Sequence, residues 1–95
     1  MRFDSPYGMV MLTDERKMHI LTFHSDVTRY LSRFAETLMN PDITTSSVHD
    51  PSVIICYHLL AHRKKHLAIV IRIGVHPFVL TAYLAKKPKR SILHL

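Results

Sequence analysis

A chain of 95 residues with 47% hydrophobic content is long enough for one small core, which excludes a wholly disordered protein and a multidomain one. A single cysteine, Cys56, excludes an internal disulfide framework and fits a reducing cytosol, so a cytoplasmic location is expected. Thirteen Lys and Arg against seven Asp and Glu give a net charge of +6, a balance that attracts phosphate backbones and other polyanions.

The charge is unevenly placed. All seven acids lie at or before Asp50, and beyond it every charged side chain is basic. The opening residues hold no apolar stretch of the kind a signal peptide needs. The longest apolar run, Val53 to Ala61, contains His58 and is far too short to span a bilayer, so no membrane partner is expected. The eight histidines would add charge as pH falls towards about 6.5.

Residues 1–7 read as an N-terminal arm, and Tyr7 to Leu12 as a short opening strand. Thr13 looks like a helix N-cap, with Asp14 and Glu15 in the first turn where the helix dipole favours acids. That helix is expected to reach Phe23 and to bury Met18, Ile20 and Leu21. Ser25 and Asp26 cap a second expected helix. Its apolar stripe is Val27, Tyr30, Leu31, Phe34 and Leu38, with Arg29, Arg33 and Glu36 on the other side. Pro41 ends it at Asn40.

Ile43 to Val48 reads as a weak edge strand and His49-Asp50-Pro51 as a turn. Val53 to Leu60 alternates, with Ile54, Cys56, His58 and Leu60 on one face. A basic loop, His62 to His66, leads into a strand over Leu67 to Ile73, where Leu67, Ile69, Ile71 and Ile73 oppose Ala68, Val70 and Arg72. Gly74 to Pro77 turns the chain into a last strand, Phe78 to Leu84, with Val79, Thr81 and Tyr83 on one side. Residues 86–95 form a basic tail. Helices first and closely spaced strands afterwards predict an α+β domain over 1–95, two N-terminal helices packed on one face of a small antiparallel β-sheet. The other face is left open, and His58, Arg72, Thr81 and Tyr83 are the set that alternation offers to it.

Several of these residues have chemistry of their own. His19 and His24 are five positions apart, about 140° around a helix, so they border one cleft only if His24 stands at the helix end. Imidazole serves as base or acid near neutral pH, which is what metal-independent RNA cleavage requires. The plainer alternative is that His19 packs on the sheet edge and His24 caps the second helix. Arg72, Thr81 and Tyr83 share a face if the hairpin register is regular: arginine to hold a phosphate, threonine to bond its oxygen, tyrosine to stack on a base or donate a proton. The alternative is an ordinary solvated sheet face. Arg63, Lys64, Lys65, Lys86, Lys87, Lys89 and Arg90, with His58, are candidates for anchoring an RNA backbone, against a reading as plain solvated charge. His58, His62 and His66 recur every four residues, a metal-ligand spacing on a helix, but the surrounding β-forming residues and Arg63-Lys64-Lys65 argue against it. No metal and no cofactor is expected.

Three stretches carry a resemblance: VMLTDERKMHILTFH (residues 10–24), SVHDPSVIICYH (residues 47–58) and FVLTAYL (residues 78–84). In that order they resemble the small phage- and mobile-element-associated proteins of the barnase–EndoU–colicin E5/D–RelE-like nuclease superfamily, over roughly residues 8 to 90. The resemblance implies a sheet packed on N-terminal helices, an RNase toxin-like fold, and metal-independent endoribonuclease activity on RNA by attack of the 2′-hydroxyl. The catalytic candidates are then His19, His24, Arg72, Thr81 and Tyr83, and a toxin would bring an acidic antitoxin or immunity protein as partner. His58 stands where the family commonly has arginine, and Ser25 where proline usually follows the second histidine. The alternative function is a non-catalytic nucleic-acid-binding or partner-binding module on the same fold.

Overall fold

A computed structural model describes residues 1–88. Most of the expected basic tail, 89–95 with Lys89 and Arg90, lies outside the described residues. The elements are β1 (Arg2–Phe3), β2 (Val10–Met11), α1 (Asp14–Phe23), a 3₁₀ segment (Ser25–Arg33), α2 (Phe34–Met39), β3 (Ile43–Ser46), β4 (Val53–Leu60), β5 (Lys65–Arg72) and β6 (Phe78–Ala85). They form an α+β fold in which the N-terminal helical elements pack on a curled six-stranded sheet of order β1-β2-β6-β5-β4-β3.

The sheet is larger than the sequence predicts, and it is mixed. β3 to β6 form an antiparallel meander, as short connections demand. β2, however, joins β6 in parallel through Met11 and Phe78, and β1 pairs with β2. Two-residue strands have no period to read, so neither pairing is visible as alternation.

α1 starts and stops where its signals place it: the Thr13 hydroxyl accepts from the Arg16 backbone N–H, and Asp14 and Glu15 fill the first turn. Its buried residue is Ile20; Met18, expected inside, is 62% exposed. The second helix departs further. Residues 25–33 wind as a 3₁₀ helix with no side-chain cap, and only Phe34–Met39 is α. Ser25, Val27, Thr28 and Ser32 are weak α-formers, so tertiary contact rather than propensity holds this stretch. Its stripe still works, because Val27, Tyr30, Phe34 and Leu38 are all buried.

Those side chains meet Ile54, Cys56, Leu60, Leu67, Ile69, Ile71, Val79 and Ala82 in one core between helices and sheet. A second, smaller cluster of Ile55, Tyr57 and Ala68, backed by Val70, Tyr83 and Ala85, lies on the opposite sheet face. A bulge separates the two roles of β6. Val70 pairs with Thr81 but Ile71 pairs with Val79, so Leu80 has no counterpart. Val79 therefore turns into the main core beside Ile71, while Thr81 and Tyr83 keep the other face. Regular alternation would have put all three together.

Candidate nucleic-acid interface and histidine–tyrosine row

The β4–β5 hairpin fixes which side chains share the face away from the helices. Register pairs Val53 with Arg72, Ile55 with Val70 and Tyr57 with Ala68, and β6 adds Thr81 opposite Val70 and Tyr83 opposite Ala68. Arg72, Thr81 and Tyr83 do share this face. His58 does not: it stands between Cys56 and Leu60 in the β4 alternation, on the helix-side face. There its Nδ1 lies 3.5 Å from Asp42 Oδ2, outside hydrogen-bond geometry. The same Asp42 oxygen accepts the Leu59 N–H at 2.7 Å. Four-residue spacing also fails to gather the histidines, because His62 is in the turn and His58 and His66 occupy opposite faces.

Arg72 is not beside Tyr83. Four residues along β5 separate Arg72 from Ala68, the partner of Tyr83, a distance of about 13 Å along the strand. Its guanidinium is already engaged: Nη1 donates to Asp50 Oδ2 at 2.8 Å and to Ser52 Oγ at 3.0 Å. The Ser52 hydroxyl and backbone N–H donate to Asp50 Oδ1 at 2.6 and 3.0 Å. These bonds, the Ser52 side chain first and Arg72 second, hold the Asp50 carboxyl down at about 2. Arg72 thus clamps the β3–β4 turn to β5.

His19, His24 and Tyr83 do come together. His24 ends α1, its N–H bonded to the Ile20 carbonyl, and this terminal position brings its ring within 6.3 Å of Tyr83 and 6.4 Å of His19, centroid to centroid. The row continues across the sheet. Tyr83 is hydrogen-bonded to Tyr57, and the Tyr57 ring meets His66 edge-on at 6.2 Å. Burial, followed by the Tyr57 hydroxyl, pushes Tyr83 up to about 12, so at neutral pH it is a proton donor and not a base. His66 Nδ1 and Thr81 Oγ1 are buried without a hydrogen-bond partner. Tyr57 is not among the sequence candidates, and His66 enters there only through the four-residue histidine spacing. Tyr57 was legible only as a strand residue, since its meeting with Tyr83 depends on two registers at once.

The basic residues gather at one end of the sheet. Leu60 pairs with Lys65, leaving Ala61 to Lys64 as the hairpin turn, and His66 pairs with Ala85, so Lys86 and Lys87 leave β6 beside Lys65. Arg63 from the turn and Arg29 from the 3₁₀ segment line one open cleft of about 520 Å³, with Ser25, Thr28 and the acid Asp26. In the sequence Arg29 is simply a residue on the polar side of a helix; packing brings it to the same cleft as Arg63. Lys64 holds φ 54, a left-handed conformation unusual for a side chain other than glycine or asparagine. The Tyr83 row lies two residues from this basic end along β6.

Among the described residues no group of three or more His, Cys, Asp or Glu side chains is arranged to hold a metal ion. No helix in them is long and apolar enough to cross a membrane. Comparison with protein-family models, with curated proteins and with solved structures gives no match.

Proposed function

We propose that this chain is a metal-independent endoribonuclease-like domain that binds RNA at its basic end and cleaves it by 2′-hydroxyl attack. The observation that carries the reading is the row His19–His24–Tyr83 next to Arg29, Arg63, Lys64, Lys65, Lys86 and Lys87. The resemblance to small phage- and mobile-element-associated proteins grouped with a nuclease superfamily points the same way. A toxin role, with an acidic antitoxin covering the basic end, follows from that resemblance and belongs to the same proposal.

In this reading one imidazole of the His19–His24 pair takes the proton from the 2′-hydroxyl. The 2′-oxygen attacks phosphorus, the bond to the 5′-oxygen breaks, and the other imidazole returns a proton to that oxygen. Tyr83, held protonated, donates to a non-bridging phosphate oxygen as negative charge develops. The lysines and arginines neutralise the flanking phosphates. Arg72 takes part only if it leaves Asp50, so Thr81 and Tyr83 are the stronger candidates on that face.

The test is incubation of single-stranded RNA with the purified chain in EDTA. Products ending in a 2′,3′-cyclic phosphate, lost with a 2′-deoxy sugar at the scissile position and in His24→Ala, are expected. RNA binding without products from about pH 5 to 9, the span over which imidazole titrates, would leave a non-catalytic RNA-binding module. Absence of binding at low salt would refute both.

A further inference from the structure

A groove of about 400 Å³ runs over the helix-free sheet face, from the β3–β4 turn to Tyr83. Its floor is apolar, made by Val53, Ile55 and Val70. Its wall, from β3 and the turn after it, is mostly polar, with Thr45, Ser47 and His49 beside Val48, and Tyr83 closes one end. Thr45 is only 8% exposed, and its Oγ1 has no hydrogen-bond partner. A buried hydroxyl without a partner is destabilising unless something else satisfies it. Thr81, next to the floor through its pairing with Val70, has a second unpartnered hydroxyl.

We infer that this groove is a nucleobase subsite, receiving a base of the RNA whose backbone passes the His24–Tyr83 row. The inference rests on the RNA reading above and adds to it where one base lies. Three observations fit a base better than a phosphate or a peptide. No Lys or Arg lines the groove, and its one basic side chain, His49, stands at the β3–β4 turn, so the floor itself offers a phosphate no cation. An apolar floor with hydroxyls at one side matches a heteroaromatic ring, which presents an apolar face and a polar edge. Tyr83 belongs both to the groove and to the histidine row, so a base seated here is joined through its own sugar and phosphate to the place where proton transfer would occur.

Amide chemical shifts of the isotope-labelled full chain, titrated at low salt with each of the four nucleoside 3′-monophosphates and with ribose 5-phosphate, test this. Nucleotides are expected to shift the amides of residues 45–49, 53–55 and 70, whereas base-free ribose phosphate shifts only the basic end and the histidine row. Thr45→Val keeps the volume and removes the hydroxyl. It should weaken the preferred nucleotide about three- to tenfold, the worth of one neutral hydrogen bond, and leave ribose phosphate unaffected. Val53→Phe fills the groove and should abolish the base-dependent shifts; if it fails to fold, Thr45→Val still decides. Identical shifts from nucleotides and ribose phosphate, or unchanged nucleotide affinity in Thr45→Val, would overturn the subsite and leave RNA binding standing. Silence of every probe and of an RNA oligomer would overturn the RNA reading and the subsite with it.

Discussion

The salt dependence of RNA affinity is the sharpest test of the basic end. Six described cations gather there: Arg29, Arg63, Lys64, Lys65, Lys86 and Lys87. Each phosphate neutralised on a single strand contributes about −0.7 to the slope of log affinity against log salt, so full engagement gives a slope near −4. Raising salt fourfold, from about 50 to about 200 mM, should then lower affinity about 300-fold. Arg29→Gln with Arg63→Gln removes the two cations that flank the open cleft. The slope should fall to about −3 and the same salt step should cost about 50-fold. Arg2 and Lys17 provide the control. Arg2 lies in the β1–β2 pair, and Lys17 in the first half of α1, both towards the Phe78 end of β6 and not the Ala85 end. Changing these two to glutamine removes the same charge and should leave the slope near its starting value. Fluorescence anisotropy of a labelled single-stranded RNA, measured across the salt series, reads all three proteins. Equal flattening in both double variants would show that net charge alone governs binding, and the assignment of an interface would fail.

Three further outcomes follow from single residues. Lys64→Gly removes the left-handed strain at φ 54, so thermal unfolding should show a gain of about 1 kcal/mol while RNA binding weakens; a loss of stability would refute the strain argument. The folded Asp50 carboxyl sits at about 2, below its unfolded value of about 3.9, so its contribution to stability is present above the unfolded value and is lost as pH falls towards 2; Asp50→Asn should remove that part of the acid-unfolding profile, and an unchanged profile would contradict it. Burial pushes the Cys56 thiol up to about 11, so a thiol reagent at pH 8 should react only after denaturation, and rapid reaction of the native chain would show the core misplaced.

Much of the fold was legible because its signals are local. Thr13-Asp14-Glu15 announces α1, and the alternation in residues 53–60 and 67–72 announces the central hairpin. The parts that were not legible depend on pairings far apart in sequence. Arg72 reads as a free phosphate ligand until Asp50, 22 residues earlier, is seen to hold it. His58 reads as an open-face residue until the Val53–Arg72 register assigns the odd positions of β4 to that face. The bulge opposite Val70 and Ile71 has no Gly or Pro to mark it.

The histidines show how such pairings decide chemistry. A spacing of five places His19 and His24 on different sides of a helix, and a helix continuing past residue 24 would have kept them apart. α1 ends at Phe23, and His24 adopts φ −136 and ψ 56 outside it, which brings its ring between His19 and Tyr83. The regularly spaced set, His58, His62 and His66, looks more organised in sequence but is scattered by a strand, a turn and a strand. In this chain the position where a helix stops, more than the spacing of its histidines, determines which imidazoles can act together.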